Sequence, residues 1–597
     1  MAKTVQTPAA RRPLKIYAFD PMLGRMPLNR ITIDIQNEPL RRGPAGSRIA
    51  VVDYDGANDC FYEPVDLDDK AILMQGGLDP SESDPRFHQQ MVYAVGMKVI
   101  ENFERALGRK ITFRGRKLRI FPHAFEGRNA FFDPSLQALL FGYFRADRDS
   151  PGPNLPGQPV FSCLSHDIIA HEMTHALVHR LRKYFFDRTN HDVGAFHEGF
   201  SDIVAIFQHF SFPDILRDRI QRTRGDLRKS DAFVELAAEF GYATGKGQAL
   251  RSAIQAPDPR RYQTVFEAHD RGSILVAAVF EAFFTTYQRR IADLVRIATG
   301  GTGQLPAGDM HPDLVNRIAA EATRTAQSVL TMCIRAFEYL PPVDITFGDF
   351  LRALVTADYE LAPLDEHGQR QAMIEAFRVR GIYPDHVSSL SEESVLYEAA
   401  GLEPLGKELV GHLALAEYVY GGAPAADDEG SEAAAPALES EEEKLPQIVA
   451  SELRRYARKN AAALGLDAAR VNQIHVQGFH PSFRVNSHGS LVMELVAQFT
   501  QRAEAGSTDL GGMEPRAGTT LIAGVDGTVR YAVTKPLPGK GVSEIFREVS
   551  RTRFDRHKAF VADSDLADAH LPWADAAYLQ KRIGKLNLSS LHLGLQS

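Results

Sequence analysis

From Phe87 to Leu107 the apolar residues Phe87, Met91, Val95, Val99, Phe103 and Leu107 return at every fourth position, which lines them along one face of a helix. Asp84 can cap that helix, Pro85 suits its first position, where its missing N–H would have no partner, and Gly108 can end it. One long core-packing helix is therefore predicted over 84–108. Upstream, Ile49-Ala50-Val51-Val52-Asp53-Tyr54 has the pattern of a strand running into a Gly/Asn/Asp turn. Downstream the text is strand-like at Ile111–Phe121, and Arg128-Asn129-Ala130-Phe131-Phe132 suits an edge strand beside a cleft. The Pro/Gly-rich run Ser150–Pro159 is a loop leading to Ser165, an N-cap for a helix ending near Lys183. A second helix begins near Gly194.

Helical text then dominates, in charged patches over 212–262 and at Arg271–Ile291, Pro312–Leu340, Thr346–Tyr359 and Asp365–Arg380. The order, strands first and helices after, predicts an α+β fold. Over Gly421–Lys444, Gly, Ala, Pro and acidic residues crowd out large apolar ones, the composition of a flexible linker that cannot bury enough surface to order itself. Beyond it, Leu445–Leu464 suits a basic-faced helix, while Gln473–Phe499 and Thr519–Val533 alternate like strands around a hairpin turn at Val525-Asp526-Gly527-Thr528. Four units follow: a strand-rich lobe (1–160), a helical lobe (161–420), an acidic linker (421–445) and a small α+β accessory domain (446–597).

A length of 597 residues is consistent with several cores. The net charge of -8 arises from interspersed acids and bases, with no basic face for nucleic acid. Cys60, Cys163 and Cys333 are odd in number and far apart, unlike a disulfide framework or a CxxC site. Met1–Leu23 lacks the apolar run of a signal peptide and no span suits a membrane, so the expected setting is cytoplasmic.

Candidate chemistry concentrates in Ser165–Asp202. In His171-Glu172-Met173-Thr174-His175, helical spacing puts both imidazoles on one face with Glu172 beside them, the arrangement that holds a zinc ion next to a general base. The apolar neighbours Ile168, Ile169, Ala170, Ala176, Leu177 and Val178 bury this helix, where unliganded histidines would be costly. The metzincin spacing fails, since Val178 stands where its Gly would be and Leu181 where its third His would be. Glu198 on the next helix fits a third ligand, and Asp202 one turn on can accept the remaining N–H of His171. His179 and His197 are the competing third ligands. For a developing oxyanion, His269 is the first donor candidate and Tyr184 the second.

These residues resemble the thermolysin-like gluzincin metallopeptidases. The resemblance covers residues 80–380 and rests on four features in family order: Arg128-Asn129-Ala130-Phe131, the His171–His175 helix led by Asp167, the segment Gly194–Asp202, and His269 before its helix. It implies a strand-rich and a helical lobe with the metal helix between them, and zinc-dependent cleavage on the amino side of apolar residues. It also implies Zn2+ on His171, His175 and Glu198, Glu172 as base, Asp202 behind His171, His269 as oxyanion donor, and Asn129 and Ala130 as binders of substrate backbone. The family's calcium cluster is matched only at Asp167, with His209 where another acidic ligand would stand, which makes calcium the secondary cofactor expectation. The family's assisting Tyr falls near Phe186, and Thr264 stands where a carboxylate would orient His269, with Glu267 the nearest substitute.

The expected protein is thus a zinc endopeptidase acting on polypeptides, with neither nucleic acid nor membrane as partner. Its accessory domain would bind a partner or regulate the cleft. The alternatives are an aminopeptidase-like exopeptidase and a zinc-containing binding scaffold. The exopeptidase motif has only a misplaced look-alike at Gly511-Gly512-Met513-Glu514-Pro515, after the metal helix.

Overall fold

The structure is a computed structural model that describes residues 9–593 apart from 22–27, 114–115, 150, 152–153, 230–234, 237–250, 253–255, 421–440, 487–488, 504–514, 539–541 and 564–584. Antiparallel strands β1 (Arg11–Tyr17) and β2 (Arg30–Gln36) come first. A mixed sheet follows, built from β3 (Ile49–Val51), β4 (Leu118–Glu126), β5 (Ala130–Asp133), β6 (Ala138–Arg145) and β7 (Pro159–Phe161). Its order is β3-β4-β6-β5, with β7 on β6. β3, β4 and β6 are parallel, and β5 returns antiparallel along β6. Among the described strands β5 pairs only with β6, so it is an edge strand, and its outer peptide groups meet side chains: Phe132 N–H donates to Glu172, and the Ala130 carbonyl accepts from His592. The strand foreseen from Ile111 starts only at Leu118, because Phe113 pairs with Arg116 in an isolated bridge instead.

Helix α1 (Pro85–Leu107) has the foreseen caps: Asp84 accepts from Arg86 N, and Gly108 takes φ 66°. Its apolar face fills the core beneath the sheet. α2 (His166–Leu181) starts at the Ser165 cap and packs between β5 and α3 (His191–His209). The helical layer continues with α4 (Ala268–Ala298), α5 (Pro312–Arg335), α6 (Phe347–Leu361, with a Thr346–Asp349 capping box) and α7 (Gln369–Arg378). The chain is therefore α+β. No helix among the described residues is long and apolar enough to cross a membrane.

The second part holds α8 (Lys407–Tyr420), α9 (Glu441–Lys459), the antiparallel meander β8 (His475–Val485), β9 (Leu491–Arg502), β10 (Arg516–Gly524) and β11 (Val529–Lys535), then α10 (Glu544–Asp563). Leu409 and Leu413 of α8 share a separate apolar core with Val449, Leu453, Phe479 and Leu521, so α8 packs with the sheet that follows the acidic stretch. Most of that stretch, 421–440, lies outside the described residues.

Charge fixes this sheet to the helical layer. Buried Glu494 accepts from Arg335 at 2.8 Å, from Arg484 at 2.8 Å and from the Tyr339 hydroxyl at 3.0 Å. Glu338 likewise joins Arg109 at 3.0 Å to His480 at 2.8 Å. The last described segment leaves the meander. In α11 (Leu588–Leu593) and the residues before it, Leu586 and Leu588 join the main core, and α11 packs on β5.

Candidate metal centre

One helical turn of α2 separates His171 from His175, and their Nε2 atoms converge to 3.0 Å. Glu198 from α3 completes the group, with Oε2 at 3.2 Å from His171 Nε2 and Oε1 at 3.5 Å from His175 Nε2. Two glycines allow this approach. A Cβ on Gly199 would stand 2.7 Å from the Gly272 carbonyl oxygen, and one on Gly272 would stand 2.8 Å from that of Ala195, so α3 and α4 touch backbone to backbone. His269, three residues before Gly272, is carried in with α4, and its Nε2 lies 3.1 Å from Glu198 Oε2.

The donors fit a metal ion. Four bonds of roughly 2.0–2.1 Å in a tetrahedron imply ligand atoms roughly 3.3 Å apart, close to the 3.0, 3.2 and 3.5 Å observed. Both Glu198 oxygens are fully buried and accept no well-directed hydrogen bond, a costly state for a carboxylate unless a cation compensates it. Two overlapping groups here could hold a metal ion, His171, Glu172, His175 and His592 in one and Glu198, His269 and His592 in the other.

Surrounding groups orient each donor. Asp202 Oδ1 accepts from His171 Nδ1 at 2.8 Å, which leaves the Nε2 lone pair facing Glu198 and His175. His175 Nδ1 is flanked by Ser201 Oγ at 3.2 Å and His197 Nδ1 at 3.3 Å. Glu172 Oε2 accepts from the Phe132 N–H of β5 at 3.0 Å, so the edge strand itself aims the prospective base. Glu267 serves twice: Oε2 caps α4 by accepting from Asp270 N at 2.8 Å, and Oε1 accepts from His269 Nδ1 at 2.9 Å.

The electrostatics follow from burial and neighbours. Burial pushes the Glu172 pKa up, against the opposing pull of His592 and His171. Burial also holds His175 well below the usual imidazole range, which favours the neutral form a ligand needs. Glu198 is the reverse case: burial alone would raise its pKa, but the surrounding imidazoles, His269 foremost, hold it well below the usual range. At Glu267 burial is likewise overcome, by the His269 and Asp270 contacts, and the pKa falls to about 2.

The fold thus brings His171, Glu172, His175, Glu198, Asp202 and His269 together, with Asn129 and Ala130 on the adjoining edge. His269 differs in position from expectation: it lies inside the first turn of α4, because Glu267 rather than a later residue caps the helix. Tyr184 is not brought in, since its ring meets the Arg516 guanidinium at 4.5 Å and Lys183 at 6.0 Å. His179 packs on Phe186 and Phe132, and His197 stands behind His175, so neither competing ligand faces the cluster. Sequence reasoning missed His592, whose Nε2 is 3.5 Å from Glu198 Oε1 and whose Nδ1 is 3.4 Å from Glu172 Oε1. No motif marks it, and it is more than 300 residues from the nearest of the other groups.

Two further buried histidine groups lie apart from this cluster. His88 Nδ1 meets His123 Nε2 at 2.8 Å, and His123 Nδ1 donates to Asp53 at 2.7 Å beside Cys163. At the place of the calcium expectation, Asp167 is paired with His209 and has His166 at 3.7 Å. Calcium requires about six to eight oxygen ligands, so this imidazole-rich pair does not suit it. The stretch 511–514 lies outside the described residues. In comparisons with known proteins, the chain matches no family model and no curated sequence.

Proposed function

We propose that this centre binds zinc through His171, His175 and Glu198 and hydrolyses internal peptide bonds of polypeptides. The observation that carries the proposal is the joint placement of Glu172. Its carboxylate is held by Phe132 N–H of an edge strand and lies beside the ligand cluster. A non-catalytic zinc site has no need of such a base.

Zinc, when bound, supplies Lewis-acid polarisation of a carbonyl and acidifies a water toward a pKa of ~7. The rest belongs to the chain. The Phe132 contact occupies Oε2 of Glu172, which leaves Oε1 to take a proton from the attacking water and later pass it to the leaving amine. Glu267 on Nδ1 of His269 fixes that ring, and its carboxylate favours the doubly protonated imidazolium, whose Nε2–H can stabilise a developing oxyanion. Asn129 accepts from Ala130 N at 2.9 Å, which turns its amide N–H outward toward an extended peptide along β5.

The resemblance to thermolysin-like enzymes adds an expected preference for apolar residues on the amine side of the cleaved bond, which a cleavage-site profile on a peptide library tests. The decisive variant is Glu172→Gln. It should retain zinc and lose hydrolysis by roughly 10²–10⁴-fold, the usual contribution of a positioned general base. A Glu172→Gln chain as active as the parent would refute the assignment.

A further inference from the structure

The groups assigned to substrate are already occupied, and the occupant is the chain itself. Asn129 Nδ2 donates to the Ser589 carbonyl at 3.1 Å. The Ala130 carbonyl on the same edge accepts from His592 Nδ1 at 2.8 Å. One turn before, Leu586 N donates to the Phe186 carbonyl at 2.7 Å, and Lys585 pairs antiparallel with Asp187. Leu586 and Leu588 are buried, with a Leu586 methyl 3.5 Å from where a Cβ on Gly194 would lie. The segment is therefore held by backbone pairing to Phe186–Asp187, by apolar burial and, where the short helix α11 lies on β5, by the polar groups of that strand.

His592 reaches furthest in. Its Nδ1–H is committed to the Ala130 carbonyl, so in the neutral ring Nε2 carries the lone pair. That atom is buried, has no hydrogen-bond partner and faces Glu198 Oε1 at 3.5 Å. The ring centre stands 5.6 Å from those of His171 and His175 and 5.8 Å from that of His269. A lone pair aimed at an unsatisfied buried carboxylate is unfavourable, and a cation shared between them removes the conflict.

We infer that His592 is a fourth protein ligand to the metal held by His171, His175 and Glu198, and that Lys585–Leu593 fills the substrate cleft, so the chain holds itself latent. The inference rests on the metal-centre reading above and extends it to the identity of the cleft's resident peptide. Where zinc has four protein ligands no position remains for water, the difference between a structural and a catalytic site. Hydrolysis then requires His592 to leave.

The test uses the full chain with Co2+ in place of zinc, whose visible absorption reports the ligand set. His592→Ala should change that spectrum, release metal to a chelator roughly tenfold faster or more, and raise cleavage of an unstructured polypeptide at least several-fold. Leu586→Asp with Leu588→Asp, which expels the segment but keeps His592, should produce the same three changes. A synthetic peptide of residues 585–597 should slow cleavage by the His592→Ala chain. A spectrum and a metal-release rate identical in His592→Ala and the parent would overturn the inference, as expected if His592 is protonated and merely pairs with Glu198. A changed spectrum with no cleavage by any of the chains would uphold the ligand and instead refute the peptidase assignment.

Discussion

In the proposed centre the contact between Asp202 and His171 predicts a measurable share of the metal affinity for Asp202. Its carboxylate accepts from His171 Nδ1 at 2.8 Å, and the two side chains are only 3% and 6% exposed, so solvent does not screen the contact. A hydrogen bond to a charged group contributes about 1.5–3 kcal/mol, and each 1.4 kcal/mol is tenfold in binding. Asp202→Ala should therefore weaken zinc binding by roughly 10–100-fold, within the range known for groups that orient a metal's ligands. Asp202→Asn keeps an oxygen acceptor at the same place but loses the charge, and should fall between Ala and the parent. The assay is competition for zinc against a chromophoric chelator of known affinity near neutral pH, with far-UV circular dichroism to show that both variants are folded. Affinity of a folded Asp202→Ala chain within about twofold of the parent would mean that His171 needs no orienting partner and is not the ligand described.

Two further predictions concern the framework. Gly199→Ala would push a Cβ to 2.7 Å from the Gly272 carbonyl, a backbone group that cannot swing away. Overpacking of this kind costs about 1–3 kcal/mol and should lower both the urea midpoint and the zinc affinity, whereas an unchanged affinity would separate the α3–α4 contact from the site. His88 is buried, and that burial, aided by His123, depresses its pKa to about 3 from 6.5. A depressed folded pKa means that its contribution to stability is complete above pH 6.5 and is lost as pH falls toward about 3, because the unfolded chain takes up the proton first. Within that window the loss approaches ~1.4 kcal/mol per pH unit. His88→Gln should show a shallower acid slope in denaturation midpoint against pH, and parallel profiles would refute the assignment.

Much of the local structure was legible because its signals are local. Capping at Asp84 and Ser165 and the fourfold apolar spacing of α1 involve neighbours within a turn or two, where helix geometry translates spacing directly into facing. The pairing of His171 with His175 is of the same kind. Glu198 and Asp202 were reachable by the same rule, once a second helix was taken to pack against the first. His269 was placed just before its helix because the apolar pattern begins at Arg271, whereas the side-chain cap that fixes the true start is Glu267.

What the sequence by itself determined is therefore the inventory: an α+β chain, a helix bearing two imidazoles and a carboxylate on one side, and a following helix with two further acids at one-turn spacing. Tertiary structure alone decided what meets that inventory. The Gly199–Gly272 contact admits α4 and so His269, and the Phe132 N–H aims Glu172 from a strand forty residues away in sequence. Tyr184 was turned instead to Arg516 of the meander, and His592 was delivered from the far end of the described chain onto Ala130 and Glu198. Such meetings depend on how layers stack, and a lone histidine at position 592 carries no periodicity that would announce them.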